Sequence, residues 1–240
     1  MTALPTRRDE AWRYADLAAL APVWPITTET IVVAPGETAA RSLVIDGAAV
    51  HDIAVTLGAG ARFTFHVLNA ARGYGRVAIR VTLGRGAQFH LGAAQLAGGE
   101  QTVEIVTEVV HAEPDAVSRQ VVRQVLTGKA TGNYLGRVVV ERGANGSDGE
   151  QSIRAMLLDR GATANARPEL EIFADDVKCA HGCAIGELDK DGLFYLASRG
   201  LPPAAAKALM LQAFLAEAFV GAQDEDALTA AALAALEDLL

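Results

Sequence analysis

The sequence predicts a mainly β protein: a parallel β-helix preceded by a short N-terminal segment and followed by a helical C-terminal subdomain. Short runs of β-branched and apolar residues follow one another through the middle of the chain. Gly-Ala pairs recur between these runs, and helix signals dominate only after about residue 190. We therefore divide the 240 residues into an N-terminal segment, 1–30, a β-helix core, 31–190, and a helical subdomain, 191–240.

The N-terminal segment has a short helical tendency around residues 10–17, and Pro22 and Pro25 close it. The runs that follow have the length and the β-branched content of strands. They include residues 53–57, 63–68, 77–83, 103–110, 138–140 and 153–158. No convincing helical pattern interrupts this series.

Gly-Ala pairs separate the strand-like runs at irregular intervals. Glycine lets the backbone turn at a corner, and a small alanine lets neighbouring coils stack closely. The pairs begin at Gly47, Gly60, Gly86, Gly143 and Gly161. Repeated strand-and-turn units favour a β-helix, although short, evenly spaced strands are also typical of an antiparallel sandwich or barrel. Because the intervals are irregular, periodicity alone favours the β-helix only weakly.

A long helix is predicted over residues 203–220. Proline at Pro203 suits a helix start, and Gly221 follows the last apolar residue. The polar residues of this stretch spread around the helix axis, which leaves it apolar on nearly all sides and requires cover on more than one face. These polar residues are Lys207, Gln212 and Glu217.

A second C-terminal helix is predicted over residues 226–240, with Asp224 or Asp226 as its cap. Two roles for the helical pair stay open. It is either a cap packed on the end of the solenoid, since terminal repeats need capping, or a docking surface for another protein.

Composition excludes several classes of protein. The chain carries 21 Lys and Arg against 29 Asp and Glu, a net charge of −8, and this acidic balance argues against nucleic acid as a partner. A mean hydropathy of +0.21 with 21% charged residues excludes a disordered chain. We find no secretory signal and no apolar stretch strong enough to span a membrane, so we expect a cytoplasmic protein with reduced thiols.

Soft metal ligands are concentrated in one short stretch, Cys179, His181 and Cys183. Thiolates and imidazoles suit zinc, copper or iron–sulfur chemistry. On a strand the three side chains share one face at about 6.6 Å spacing, which makes a disulfide between the cysteines improbable and leaves a closed four-ligand site incomplete. Two interpretations stay open: the stretch offers part of a metal site that another chain would complete, or its cysteines and histidine are core residues.

A rival metal site involves His66, His90 and His111, whose separation is close to one coil of a β-helix. Stacked coils could bring the three together as a zinc site of the carbonic-anhydrase type. This gives the alternative function, a metal-dependent β-helix enzyme. Common enzyme motifs are otherwise missing, and a structural role is the better interpretation of these histidines.

Residues 168–182, PELEIFADDVKCAHG, resemble the signature of the SufD branch of the SufB/SufD family, and residues 193–201, LFYLASRGL, continue it. The triplet Trp12-Arg13-Tyr14 is similar to an N-terminal element of that family. The resemblance is close and specific over residues 153–219 and looser over residues 31–140. The family contains scaffolds of the SUF iron–sulfur cluster assembly system, built on a right-handed parallel β-helix.

The resemblance implies a non-catalytic scaffold that pairs with a SufB-like subunit through the β-helix and carries a SufC-like ATPase on its C-terminal helices. Cys179 and His181 match the interface thiol and imidazole of the family and become candidate ligands. A nascent cluster or iron, shared transiently with SufB, would be the cargo; no permanently bound cofactor is expected, and ATP enters only through SufC. Phe214, Leu215 and Phe219 are the expected SufC contacts.

Two departures from the family pattern stand out. Cys183 occupies a position where the family usually has a small residue, so the resemblance does not imply that Cys183 is a ligand. The chain is also shorter than typical members, with little sequence before Trp12. In isolation, a homodimer is an option for such a chain.

Overall fold

The computed structural model describes residues 3–240 and contains, over that range, twelve strands between Thr28 and Gly186. The strands are β1 (Thr28–Val33), β2 (Thr38–Ile45), β3 (Ala49–Leu57), β4 (Arg62–Asn69), β5 (Tyr74–Leu83), β6 (Gln88–Ala97), β7 (Thr102–His111), β8 (Val117–Leu126), β9 (Thr131–Val140), β10 (Asp148–Leu157), β11 (Thr163–Ile172) and β12 (Lys178–Gly186). Four α-helices complete the described chain: α1 (Leu17–Leu20), α2 (Lys190–Ser198), α3 (Pro203–Ala216) and α4 (Glu225–Glu237).

The strands form two six-stranded sheets in which consecutive strands alternate from one sheet to the other. The first sheet has the order β1-β3-β5-β7-β9-β11 and the second the order β12-β10-β8-β6-β4-β2. Every pairing is parallel. The predicted parallel β-helix is thereby confirmed. An antiparallel sandwich or barrel is excluded, because its neighbouring strands run in opposite directions.

Gly-Ala pairs mark corners of the coil, as the sequence indicated. Gly60 and Gly86 have φ angles of +66° and +62°, a backbone conformation that residues other than glycine rarely adopt. The alanines that follow, Ala61 and Ala87, are completely buried. The glycine thus turns the chain, and the methyl group behind it packs against the interior.

Side chains alternate between the interior of the coil and its outer surface. Inward positions are filled mainly by Val, Ile, Leu and Ala, with a stack of Phe63 and Phe89 whose ring centroids lie 6.3 Å apart. This composition explains how a chain with 5% aromatic residues builds its core. In the last coils the interior becomes more polar, and that change positions the site described below.

The N-terminal segment forms less helix than its composition suggested. A 3-10 turn covers Glu10–Trp12, and α1 begins only after Asp16, whose side chain accepts hydrogen bonds from the first free N–H groups of the helix. Pro22 follows at once and limits the helix to four residues. The segment lies on the outer face of the first sheet, where the guanidinium of Arg76 is 3.8 Å from the ring centroid of Trp12.

The predicted long C-terminal helix exists but ends at Ala216, four residues before the expected end. The last helix begins at Glu225, and Asp224 occupies its N-cap position. The Asp224 side chain does not cap the helix, because it accepts a hydrogen bond from the hydroxyl of Ser42. Over residues 3–240 none of the helices is long and apolar enough to cross a bilayer.

The helices α3 and α4 cover the side of the second sheet, not the end of the solenoid. α3 contacts β8, and α4 contacts β4 and β6. Together they bury a second apolar cluster between helix and sheet, which includes Leu68, Leu96, Val125, Leu211, Leu228 and Leu236. These helices therefore do not cap the end of the solenoid, which was one of the two roles that the sequence left open.

Candidate functional site

The cysteine and histidine cluster lies on β12, the edge strand of the second sheet. β12 pairs only with β10, and the register places Cys179 beside Gly149, His181 beside Gln151 and Cys183 beside Ile153. β11 is the edge strand of the first sheet, and it belongs to the same last turn of the coil as β12. The cluster therefore stands at an open end of the β-helix, where within the described residues no further coil covers it.

The odd-numbered residues of β12 face the interior of the coil. Cys179 packs against the main core cluster, and alternation along the strand places His181 and Cys183 on the same side. His181 and Cys183 are nevertheless exposed, because the coil is open here. Both cysteines are free thiols. The predicted common face of the three residues is confirmed.

Cys179 is half-buried beside a space that Gly149 leaves open. The point where a Cβ of Gly149 would stand lies 3.5 Å from the Cys179 Sγ and 3.6 Å from the His111 Nε2. Burial raises the pKa of the Cys179 thiol, and the nearby Asp148 carboxylate adds to this rise against a hydrogen bond from the Gly149 backbone. Metal binding, which needs the thiolate, has to overcome this cost.

His111 is completely buried at the end of β7, and its Nε2 lies 2.8 Å from the Ser118 Oγ. Burial lowers its pKa to about 4, so the ring is neutral at physiological pH. A neutral imidazole therefore stands behind the candidate thiol, inside the coil.

A polar cluster fills the interior behind His181. The Tyr134 hydroxyl lies 3.2 Å from the Gln120 Oε1 and accepts a hydrogen bond of 3.0 Å from the Gln151 Nε2. The Thr107 hydroxyl donates to the same Gln120 oxygen at 2.7 Å. The Gln151 Oε1 is buried and has no hydrogen-bond partner. One turn deeper, Phe89 and Leu91 are the strand partners of Ser118 and Gln120. These two apolar side chains close the bottom of the polar region.

No group of three or more His, Cys, Asp and Glu side chains within residues 3–240 is placed to hold a metal ion. Cys179 and His181 supply two soft ligands on one edge strand, with Cys183 further along. A stable site generally uses four ligands. The described residues therefore do not form a complete metal site by themselves.

A protein-family comparison matches residues 45–214 to the SufBD core domain of SUF-system FeS cluster assembly. The chain belongs to the SufBD core family. The match covers ten of the twelve strands, from the third to the last, together with most of α3.

Individual relatives agree with the family. The chain is 36% identical over 121 residues to the chloroplastic protein ABCI7 of Arabidopsis thaliana, covering 49% of this chain and 25% of that protein. It is 35% identical over 108 residues to the iron–sulfur cluster assembly protein SufD of Escherichia coli K12, covering 45% and 26%. The Bacillus subtilis SufD is 33% identical over 118 residues, covering 49% and 27%. The matched stretch thus spans about a quarter of each relative's length.

The three histidines of the rival zinc site do not come together in this SufBD core. His66 and His90 lie on the outer face of the second sheet, with ring centroids 5.6 Å apart. His111 lies in the first sheet and faces the interior. Similar spacing along the chain therefore does not bring the three rings together, because the third histidine belongs to the other sheet and faces inward, and the predicted three-histidine site is wrong.

His66 has a structural environment of its own. It is buried beneath the C-terminal helices, where the backbone of Val220 opposes the effect of burial on its pKa. Burial is the main cause that lowers its pKa, which keeps the ring neutral. The outcome agrees with the interpretation of these histidines as structural residues.

The expected ATPase contacts are buried within the chain. Phe214, Leu215 and Phe219 are at most 8% exposed and belong to the apolar cluster between helices and sheet. The apolar side chains that these helical segments leave exposed are different ones. They are Phe194, Tyr195, Leu209 and Val220.

Sequence reasoning did not identify Gln151, Gly149 or His111 as parts of the site. One signal was present: a small or thiol residue two positions before Gln or His recurs once per turn, at Ser118-x-Gln120, Gly149-x-Gln151 and Cys179-x-His181. The significance of this recurrence depends on the strand register, which stacks the three pairs in two columns. The register is known only from the fold.

Proposed function

We propose that this SufBD-core chain is a non-catalytic scaffold subunit of a SUF assembly. It pairs with a SufB-like subunit at the open end of the β-helix, and Cys179 and His181 there bind iron or a nascent cluster together with groups of that partner. The observation that supports this most directly is the position of both ligands on an edge strand, with only part of a metal site around them.

Two unpaired strand edges favour a partner that also presents strands. β11 and β12 end the two sheets side by side, and each has one row of backbone groups without a strand neighbour. Exposed edges normally invite pairing with another chain. Large apolar side chains are exposed beside them at Ile172, Phe173 and Ile185. A second β-helix end would extend both sheets and cover these side chains, and a second copy of this chain competes for the same surface when SufB is absent.

The metal chemistry follows from the two ligands. Cys179 binds as a thiolate and His181 as a neutral imidazole, so loading releases the thiol proton. Because neither ligand is enclosed, iron or a cluster enters and leaves when the interface opens. The cluster is cargo and not a resident cofactor.

The C-terminal helices provide the docking surface for the SufC-like ATPase. Phe194 and Tyr195 on α2 are 77% and 57% exposed, and Leu209 on α3 is 46% exposed. The buried Phe214, Leu215 and Phe219 hold the helices on the β-helix, so that movement of the docked ATPase is transmitted to the coil. A salt bridge of 2.7 Å between Arg123 on β8 and Glu217 strengthens that connection. ATP acts only through the docked subunit.

The test is co-expression with a SufB-like and a SufC-like protein, with purification on a tag attached to this chain. We expect both partners to co-purify and an iron–sulfur absorbance to develop after anaerobic reconstitution. Cys179→Ser and His181→Ala should leave the complex intact and reduce that absorbance. The matched control is Cys183→Ser, a thiol on the same strand that should leave the yield unchanged.

Surface variants separate the two interfaces. Ile185→Lys at the open end should lose the SufB-like partner and keep the SufC-like one, and Phe194→Asp should do the reverse. A normal cluster yield in both ligand variants, or a chain that purifies alone, contradicts the proposal.

A further inference from the structure

We infer that Gln151 is a positioning residue for His181, and that its side-chain Oε1 accepts the ring N–H of His181 and so directs the other ring nitrogen towards the metal. The inference deepens the proposed function and depends on it for the role of His181 as a ligand. The inferred hydrogen bond joins two residues of this chain and needs no partner subunit.

The register brings the two residues together. Gln151 on β10 and His181 on β12 are direct partners in a parallel pair, and such strands lie about 4.8 Å apart with paired side chains on the same side. Gln151 is 1% exposed and His181 is exposed immediately above it, at the mouth of the coil. The ring of His181 is therefore within reach of the Gln151 amide without movement of the backbone.

Hydrogen bonds deeper in the coil determine the orientation of that amide. The Thr107 hydroxyl donates to the Gln120 Oε1 at 2.7 Å, so the Tyr134 hydroxyl donates either to that amide oxygen or to the Thr107 oxygen, each 3.2 Å away. The Tyr134 oxygen then accepts from the Gln151 Nε2 at 3.0 Å. With the amide nitrogen held by the phenol, the carbonyl oxygen is the end of Gln151 that is left free.

This free oxygen lacks a partner. The Gln151 Oε1 is buried and accepts no hydrogen bond within the described structure. Buried polar atoms normally have a partner, and ring N–H groups of metal-binding histidines usually donate to a carbonyl or carboxylate oxygen. A neutral imidazole has one N–H and one lone pair, so donation to Gln151 leaves the lone pair for the metal.

The two cysteines of the cluster have no polar side chain as a register partner. The register partner of Cys179 is Gly149, which has no side chain, and that of Cys183 is Ile153, which has no polar atom. Of the three candidate ligands on β12, only His181 therefore has a polar interior side chain beside it that can orient it. This pattern also distinguishes a prepared ligand from a histidine that merely lies on an exposed strand.

The test compares Gln151→Leu with Gln124→Leu in the full chain. Both changes remove a buried glutamine amide, but the Gln124 Nε2 donates to the Gln95 Oε1 at 2.6 Å, and Gln124 has no part in the hydrogen bonds that orient Gln151. The readout is the tautomer of the His181 ring from its ¹⁵N chemical shifts at pH 8. We expect one dominant tautomer in the wild type and in Gln124→Leu, and a mixture of both in Gln151→Leu.

A second variant protects the test against misfolding. Tyr134→Phe keeps the ring in the core and removes only the hydroxyl that orients Gln151, so it should also produce a tautomer mixture. An unchanged single tautomer in folded Gln151→Leu overturns the inference. Cluster yield in the reconstituted complex is measured separately: a normal yield with His181→Ala refutes the ligand role, while the tautomer still decides whether Gln151 holds the ring.

Discussion

Arg76 and Glu104 form an ion pair with charged atoms 2.8 Å apart, and both side chains are at most 2% exposed. The Glu104 carboxylate also accepts hydrogen bonds from the Tyr74 hydroxyl and the Asn133 amide. The Arg76 guanidinium donates to the Ala11 carbonyl oxygen, 2.8 Å away. The pair thus attaches the N-terminal segment to the outer face of the first sheet.

Removing one member of this pair should destabilise the chain severely. Glu104→Ala leaves a buried guanidinium without its counter-charge, a change that typically costs about 3–5 kcal/mol. The free energy of unfolding in urea measures the loss. The control is Glu100→Ala, whose exposed pair with Lys129 should contribute less than about 1 kcal/mol. Equal effects of the two variants would contradict the structural importance of the buried pair.

The strands and corners of the coil were predictable from local signals because each signal has a local cause. Gly60 and Gly86 turn the corners, and the β-branched runs between corners have no alternative to a strand. The place of α3 was not predictable in the same way. Its apolar circumference indicated cover on several sides, but which sheet provides that cover depends on Leu68, Leu96 and Val125, which lie far away along the sequence.

Gly92→Ala should loosen the C-terminal helices. A Cβ at this position would stand 2.0 Å from the Ala218 carbonyl oxygen and 2.6 Å from the His66 Cδ2. Because a backbone atom is in the way, the chain following α3 has to move, at a typical cost of about 1–3 kcal/mol. We expect a lower free energy of unfolding and faster proteolysis after residue 216.

The matched control for that change is Gly47→Ala. Nothing lies within 4 Å of the Cβ that it adds, and the backbone there does not need glycine. Stability should change by no more than about 0.5 kcal/mol. If the two alanine variants behave alike, the close approach of the helical segment to β6 is not a constraint on the fold.

Stability should fall on acidification because of His111. Its pKa is about 4 in the folded chain, where burial disfavours the imidazolium, against an ordinary value of 6.5. Above pH 6.5 the ring is neutral in both states and has no effect. Below it the unfolded chain takes up a proton that the folded chain does not, so the free energy of unfolding decreases by about 2 kcal/mol by pH 5.

His66 and His90 act in the same direction, since burial lowers the pKa of each. The variant His111→Gln isolates the contribution of one ring. Urea unfolding at pH 7.5 and pH 5 should show a smaller difference in stability for this variant than for the wild type. Identical differences would mean that His111 is not the buried titrating group.

The ligand strand was predictable and its support was not. Cys179 and His181 stand out in the sequence because soft ligands at alternate positions share a face of a strand. Gln151 has no such signal, since a glutamine two residues after a glycine is unremarkable until β10 is placed beside β12. Likewise His66, His90 and His111 are similarly spaced along the chain, and only the fold shows that His66 lies on the outer face of the second sheet while His111 faces the interior from the first sheet.

Thiol labelling should distinguish the two cysteines and detect the interface. Cys183 is exposed and Cys179 is half-buried, so a thiol reagent should react in two phases, with Cys183 in the fast phase. Burial raises the pKa of both thiols, and both rates should therefore increase with pH above neutrality. Cys183→Ser assigns the phases by removing the fast one.

The same reaction tests the proposed pairing at the open end. In the complex with a SufB-like partner, both thiols should be protected, because the partner covers the mouth of the coil where β12 carries them. Binding of the SufC-like subunit alone is the control and should leave both rates unchanged, since the thiols face the interior of the coil and the helices α3 and α4 cover the outer face of the second sheet. Rapid labelling of Cys183 in the intact complex would show that the partner binds elsewhere and that β12 remains open to solvent.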